Sequence, residues 1–171
     1  RGPQTALTTS GTMIVCFLNA NIAFRKIWSI AKMEKTEFNF WQNHSNNYLE
    51  MAFRTDRTGI VEKPEGHGKK TGECGDTVEM FLSIKNDRIK HVSFVIEGCR
   101  NTLACANTVA ALVEGKKTDT AWEITPDDVI QFIETLPKEN HHCAELAVGT
   151  FYLALSNYQE NKRNGWKKIY R

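Results

Sequence analysis

The chain has 171 residues, of which 41% are hydrophobic and 25% charged, a composition typical of one globular domain of ordinary size. A net charge of +2 is too small to indicate nucleic-acid binding, and the apolar run Met13–Leu18 is too short to cross a membrane. Five widely spaced cysteines, with no secretory signal, argue against a disulfide framework and favour a cytoplasmic protein with metal-binding or catalytic thiols.

Residues 1–32 differ from the rest of the chain in charge. They contain four of the 22 basic residues and none of the 20 acidic ones, so the remainder is mildly acidic. A transit peptide has such a composition, but an extension translated upstream of a start at Met33 fits better. We therefore predict a disordered leader (1–32), a folded domain (33–160) and a loose basic tail (161–171).

The first part of the predicted domain combines aromatic residues with a glycine-rich stretch. Residues 36–53 carry spaced aromatic and aliphatic side chains, which predict one or two short helices that cover a core. Residues 56–73 are rich in glycine and charge and are expected to form a loop, with Ile60 and Val61 in a short edge strand at most.

Two stretches of alternating apolar residues follow. Every second residue from Val78 to Ile84 is apolar, and residues 89–97 repeat the alternation. The intervening sequence KNDR is typical of a turn, so the two strands are predicted to form a β-hairpin.

Three helices are predicted in the second half of the chain. Residues 101–114 have a helical apolar stripe with Asn101 or Thr102 as the cap. The sequence TPDDVIQFIETLP begins a second helix at Thr125, where proline and two aspartates follow the cap. A third helix is predicted from about residue 142 to 158.

The hairpin brings two cysteines together. Cys74 precedes the first strand by three residues, and Cys99 follows the second strand by two. Because these strand ends lie at the same end of an antiparallel pair, we expect the two thiols to be close. Cys143 falls in the first turn of the last helix, and Cys99 immediately precedes a helix. Since helix N-termini lower the pKa of a thiol, thiolates that bind soft metals are expected here.

Two further residues offer ligand atoms near these cysteines. Asp76 is two residues from Cys74, and His142 precedes Cys143. Three thiolates with Asp76 or His142 would form a tetrahedral zinc site or hold an iron–sulfur cluster. The alternatives are that Asp76 caps a turn and that each cysteine is a small buried apolar residue, which is the preferred interpretation of Cys105.

The sequences GECGD, EGCRNTLACANTVAALVEGK and LPKENHHCAELAVGTFYLALSNY closely resemble the U-type iron–sulfur cluster scaffold family, represented by IscU and the N-terminal domain of NifU. The resemblance covers Phe38–Tyr158, and the motif sequences are most similar to those of single-domain NifU-like variants. It implies an α+β fold of the SufE/NifU-like type, with a small, mainly antiparallel β-sheet and helices packed on one side.

The resemblance also implies a carrier and not an enzyme. Such a scaffold assembles a transient [2Fe–2S] cluster with sulfur from a cysteine desulfurase and passes it to apo iron–sulfur acceptor proteins. Matched residue by residue, Cys74, Cys99 and Cys143 are the cluster ligands. Asp76 corresponds to the carboxylate that keeps the cluster labile, and His142 to the histidine beside the third cysteine. The resemblance further implies Zn²⁺ in the iron-free form, and a homodimer is possible.

One segment departs from the family pattern. Residues 136–140 read Leu-Pro-Lys-Glu-Asn where the family has Leu-Pro-Pro-Val-Lys, so recognition by the dedicated chaperone is not expected from this motif. Two rival functions remain. In a structural zinc module, removal of zinc unfolds the domain. In a thiol enzyme, Cys143 is the nucleophile and His142 or another histidine the base; neighbouring residues in one helical turn rarely face each other, which weakens this hypothesis.

Overall fold

The computed structural model describes residues 40–169, so the expectations for the leader lie outside the described residues. The chain divides into two compact units, Arg1–Gln42 and Asn43–Arg171. Only the backbone of residues 40 and 41 and residue Gln42 are described in the first unit. The helices are α1 (Phe40–Asn43), α2 (Asn46–Phe53), α3 (Arg100–Val113), α4 (Pro126–Ile133) and α5 (His141–Ile169), and the strands are β1 (Gly66–Thr71), β2 (Thr77–Lys85) and β3 (Arg88–Glu97).

The predicted hairpin is confirmed. Strands β2 and β3 pair antiparallel from Thr77 opposite Glu97 to Lys85 opposite Arg88. Asn86 and Asp87 connect them with φ angles of 55° and 56°, the left-handed conformation of a two-residue hairpin turn that matches the twist of the strands. This register fixes the position of everything that precedes β2 and follows β3.

Strand β1 corrects the prediction of a loop over residues 56–73. Residues Gly66–Thr71 pair antiparallel with β2 and complete a three-stranded sheet of order β1-β2-β3. An ideal Cβ built on Gly68 would lie 2.6 Å from the carbonyl oxygen of Thr150 in α5. The glycine therefore permits close contact between strand and helix backbones, a reason for glycine in a strand that hydropathy does not reveal.

The helices cover one face of this sheet and give an α+β fold. Helix α5 packs on β1 and β2, and α3 packs on β3 and α5. The alternate apolar residues of β2 point into the core, which also takes large side chains such as Phe94 and Phe151. On the opposite face, Glu79 contacts His67 and Lys69. The two-residue period predicted from the sequence thus separates core from surface.

The helix ends agree with the sequence in one case and differ in two. Thr125 caps α4 through a reciprocal capping box with Asp128, as predicted. Cys99, not Asn101 or Thr102, is the N-cap of α3. Helix α5 continues to Ile169, beyond the predicted end at residue 158.

The C-terminal part of α5 contacts the turn between β2 and β3. The side chains of Tyr158 and Lys162 both donate to the carboxylate of Asp87, at 2.7 and 2.5 Å. The helix is therefore held on the turn beyond its predicted end. None of the helices among residues 40–169 combines the length and apolar character that a membrane span requires.

Candidate metal centre

Three chain segments meet at the end of the sheet where β2 begins and β3 ends. The first is the loop between β1 and β2, closed by a 2.8 Å hydrogen bond from the Gly72 N–H to the Asp76 carbonyl. In this loop Gly75 adopts a φ of +87°, which favours glycine. The second segment is the short link between β3 and α3, which contains Cys99. The third is the first turn of α5, which contains Cys143.

Two thiols and one carboxylate lie within reach of a single metal ion. The Sγ atoms of Cys99 and Cys143 are 3.9 Å apart. An oxygen of Asp76 and these two sulfurs all lie within 4.8 Å of one another. Two thiolates that bind one tetrahedral zinc ion at its usual bond length are about 3.8 Å apart, so the observed sulfur separation fits metal coordination.

Cys74 and His142 are nearby but are not members of this group. Cys74 is exposed in the loop between β1 and β2. The Nε2 atom of His142 lies 3.6 Å from the Sγ of Cys143, so these neighbouring side chains do approach each other. Of the five candidate ligands, the structure brings three into one cluster, and Cys74 and His142 are not among them.

The Asp76 carboxylate is held at the N-terminus of α3. Its Oδ2 accepts a hydrogen bond from the backbone N–H of Cys99 at 3.0 Å and another from the Thr102 hydroxyl at 2.6 Å. Cys99 makes no capping hydrogen bond with its own side chain. Asp76 therefore satisfies a backbone donor at the helix start, and the thiol of Cys99 does not serve as the cap.

Sequence reasoning missed two residues that shape this arrangement. Gly98 leaves the space for the carboxylate, because an ideal Cβ there would lie 2.5 Å from the Cγ of Asp76. Thr102 is fully buried and reaches both Asp76 and Cys99. In the sequence, Thr102 looks like a helix cap and Gly98 like a strand end, and no linear pattern connects either residue with Asp76.

The electrostatics of Cys143 differ from the expectation of a thiol with a lowered pKa. Burial, together with the nearby Cys99, raises the pKa of Cys143 to about 12, although a hydrogen bond with Thr102 opposes the rise. Partial burial also acts to raise the pKa of Asp76, but hydrogen bonds from Thr102 and Cys99 outweigh it and the pKa is lowered. The metal-free site at neutral pH thus combines a carboxylate with a protonated, buried Cys143. Such a thiol is a poor nucleophile, which argues against the thiol-enzyme hypothesis.

An apolar groove of about 410 Å³ lies beside Cys99. Its walls come from the end of α2, strand β3 and the first turn of α3, and they include Phe53, Phe94 and Leu103. The guanidinium of Arg100 lies 4.4 Å from the centre of the Phe53 ring. The thiol of Cys99 is therefore accessible from a surface that is mainly apolar.

Comparison with known families gives one match over most of the chain. The family described as the NifU-like N terminal domain matches residues 46–164. This range contains all five candidate ligands and every element from α2 to the greater part of α5.

Curated relatives and a solved structure agree with this match. The chain is 29% identical over 134 residues to the iron-sulfur cluster assembly protein IscU of Plasmodium falciparum, with 75% of this chain and 81% of the relative covered. It is 30% identical over 101 residues to the iron-sulfur cluster assembly scaffold protein IscU 1 of Archaeoglobus fulgidus, with 58% and 66% covered. The crystal structure of an N-terminal NifU-like protein from Brucella abortus superposes with a TM-score of 0.57 at 17% identity, covering 68% of this chain and 94% of the other; it supports the fold alone.

Proposed function

The chain belongs to the NifU-like N-terminal domain family, and we propose that it is a scaffold on which an iron–sulfur cluster is assembled and from which the cluster is transferred. The observation that carries the proposal is the cluster of Asp76, Cys99 and Cys143, whose ligand atoms lie within 4.8 Å of one another. The names of the curated IscU relatives support the same role.

The cargo in this proposal is a [2Fe–2S] cluster bound by Cys74, Cys99 and Cys143. Cys143 is fully buried and provides a fixed ligand, whereas Cys74 and Cys99 are exposed, so incoming iron and sulfur can reach them. Binding of iron to Cys143 displaces its proton, because the thiolate is the form that coordinates metal.

Asp76 completes the site with an oxygen ligand, and His142 lies close enough to replace it at another stage. A carboxylate is a harder ligand than a thiolate and binds iron–sulfur clusters less firmly. An acceptor thiolate can therefore displace Asp76 first, which makes the site suited to release as well as to binding. In the iron-free protein the same ligands are suited to Zn²⁺.

The partners that follow from this role are a cysteine desulfurase, which supplies sulfur, and apo iron–sulfur acceptor proteins. The altered segment at residues 136–140 leads us to propose that a chaperone, if one takes part, does not recognise this motif. A homodimer that shares one cluster is compatible with exposed ligands on one face.

Anaerobic reconstitution with iron, sulfide and a desulfurase tests the proposal. We expect visible charge-transfer absorption and about two irons per chain or per dimer. Cys74→Ser, Cys99→Ser and Cys143→Ser should each abolish the absorption. The matched control is Cys105→Ala, since Cys105 is a buried thiol outside the proposed ligand set and should leave assembly intact. Full assembly in all three serine variants would refute the ligand assignment.

The same assay has a second arm for cluster release. Asp76→Ala removes the displaceable oxygen ligand, so we expect the assembled cluster to persist longer and to reach an apo-ferredoxin more slowly. Circular dichroism in the visible range can follow the transfer. Unchanged transfer kinetics would remove Asp76 from the release step while leaving assembly itself unaffected.

A structural zinc module is the second candidate, because a sulfur separation of 3.9 Å also suits zinc. The two functions differ in what holds the fold together. The hydrophobic core extends through strands β2 and β3 and helices α2 to α5, and the metal centre lies at one end of the sheet. We therefore expect the protein to stay folded after zinc is removed with a chelator, as far-ultraviolet circular dichroism would show; unfolding would favour the zinc module.

A further inference from the structure

The N-cap residue of helix α3 is Cys99, and its side chain makes no capping hydrogen bond. An N-cap residue normally satisfies backbone donors of the first turn with its own side-chain oxygen. Cys99 does not do this, and its backbone N–H is instead bound by Asp76, which lies 23 positions earlier in the chain. The arrangement resembles a capping box in which the acidic partner comes from another element.

Thr102 connects this cap with the thiols. It occupies the third position of α3, and its side chain is fully buried. Its hydroxyl donates to Asp76 Oδ2 at 2.6 Å and lies 3.4 Å from the Sγ of Cys99. Thr102 thus touches the carboxylate and, through its contacts with Cys99 and Cys143, both thiols of the candidate centre, although it is not itself a ligand.

We infer that Thr102 is a positioning residue of the metal centre, whose buried hydroxyl fixes the Asp76 carboxylate beside the thiols of Cys99 and Cys143. The inference rests on the proposed function in that Asp76 is taken as a metal ligand. The hydrogen bonds from the Cys99 N–H and the Thr102 hydroxyl both end on Oδ2. Its orientation is therefore set before a metal arrives, and the ordering cost of ligation is reduced.

The expected effect can be read from metal affinity. Loss of a hydrogen-bonding partner of a ligand typically weakens metal binding about 10- to 100-fold. Thr102→Val keeps the shape of the side chain and removes the hydroxyl, so we expect a loss in this range. Thr102→Ser keeps the hydroxyl and should retain nearly the affinity of the wild type. Thr102→Ala also removes the hydroxyl and leaves a smaller side chain. It replaces Thr102→Val in the titrations if the valine variant folds poorly.

The experiment is a competition titration of the metal-free, full-length chain with Zn²⁺ and with Co²⁺ against a chromophoric chelator. The Co²⁺ absorption spectrum gives a readout of the ligand set that a purely structural role of Thr102 would not move. Thr108→Val is the matched control, because Thr108 is also fully buried in α3 but its hydroxyl donates at 2.8 Å to the Ala104 carbonyl of its own helix. The control should leave affinity and spectrum unchanged.

A double-mutant cycle with Asp76→Ala identifies the route of the effect. If Thr102 acts through Asp76, Thr102→Val should cause little further loss of affinity in the Asp76→Ala background. Unchanged affinity in both Thr102→Val and Thr102→Ala, or a loss of the same size with and without Asp76, would overturn the inference. Since these titrations use neither iron nor sulfide, a failure of cluster assembly in the wild type would refute the proposed function without changing this result.

Discussion

The two ends of helix α3 each hold a carboxylate, and the two carboxylates are satisfied in different ways. At the C-terminal end, Glu114 pairs with Arg57 through both oxygens, at 3.3 and 2.5 Å, and accepts a hydrogen bond from the Val92 N–H. At the N-terminal end, Asp76 accepts hydrogen bonds from the Thr102 hydroxyl and the Cys99 N–H. In the part of the chain that the structure describes, no lysine or arginine pairs with Asp76.

The contrast indicates different roles for the two carboxylates: Glu114 stabilises the fold, whereas Asp76 is suited to binding a cation. The charge of Glu114 is neutralised by a guanidinium that is itself only 7% exposed, so this pair fixes the segment before β1 onto the helix end. Asp76 is oriented by neutral donors, and no lysine or arginine among the described residues forms an ion pair with it. A metal ion can therefore supply the missing positive charge beside two thiols.

The largest expected effect is a loss of stability when the ion pair between Glu114 and Arg57 is removed. Glu114→Ala leaves the buried Arg57 without its partner, which should lower the free energy of unfolding by about 3 kcal/mol. Urea denaturation followed by circular dichroism measures the change. Zinc affinity of the protein that remains folded should stay at the wild-type value, because Glu114 lies at the opposite end of α3 from the thiols.

Glu160→Ala is the control for this change, since Glu160 is an exposed glutamate of α5 and should cost little stability. The double variant Arg57→Met with Glu114→Gln should recover part of the loss because it removes the buried charge itself. A Glu114→Ala variant as stable as Glu160→Ala would show that the Arg57 pair does not hold the fold.

A smaller effect, confined to the metal centre, is expected from Gly98→Ala. The added methyl group must displace Asp76, which we expect to weaken zinc affinity by about tenfold, as for other changes around a ligand. The loss in free energy of unfolding should be smaller than for Glu114→Ala. The added methyl group only shifts the local backbone and the Asp76 side chain, and no buried charge loses its partner. Chelator competition and urea denaturation of the same variant separate the two quantities. Undiminished zinc affinity would mean that Asp76 does not need the position seen here.

The smallest expected effect is the change in the stabilising contribution of Glu114 as the pH is lowered. Burial raises the pKa of Glu114, but hydrogen bonds from Arg57 and Val92 and the charge of Arg57 outweigh it, so the pKa in the folded protein is lowered. A lowered pKa stabilises the fold above the ordinary glutamate value of about 4.3, and this stability is lost as the pH falls through the folded value. We therefore expect the stability difference between wild type and Glu114→Gln to be constant near neutral pH and to shrink below that value. A difference that persists at the acid end would contradict a role for the Glu114 charge.

Elements with a regular pattern of apolar residues could be predicted from the sequence. The hairpin follows from alternation on both sides of a turn sequence, and α4 follows from Thr125 and the residues after it. Strand β1 could not be predicted in this way, because Gly66 and Gly68 face the backbone of α5 at positions where most strands carry large apolar side chains. A helix that packs directly on a strand requires small residues, and small residues resemble a loop in a linear sequence.

The candidate site shows the same limit. Cys99, Cys143 and Asp76 were among the residues predicted as ligands, since strand ends and helix starts bring them together. The protonation of Cys143 was predicted in the wrong direction, because its burial outweighs the favourable helix terminus. Burial is a property of the packed structure and leaves no sign in the spacing of cysteines.

The sequence by itself therefore determined which residues carry the chemistry and which strand and helix ends present them, because hydrophobic period and cap residues act over a few positions. Only the tertiary structure decided how these residues are held. The cap that Asp76 provides for α3, the buried hydroxyl of Thr102 and the space at Gly98 all join positions more than 20 residues apart. Such contacts depend on the distances that folding creates between segments, and no local pattern encodes them.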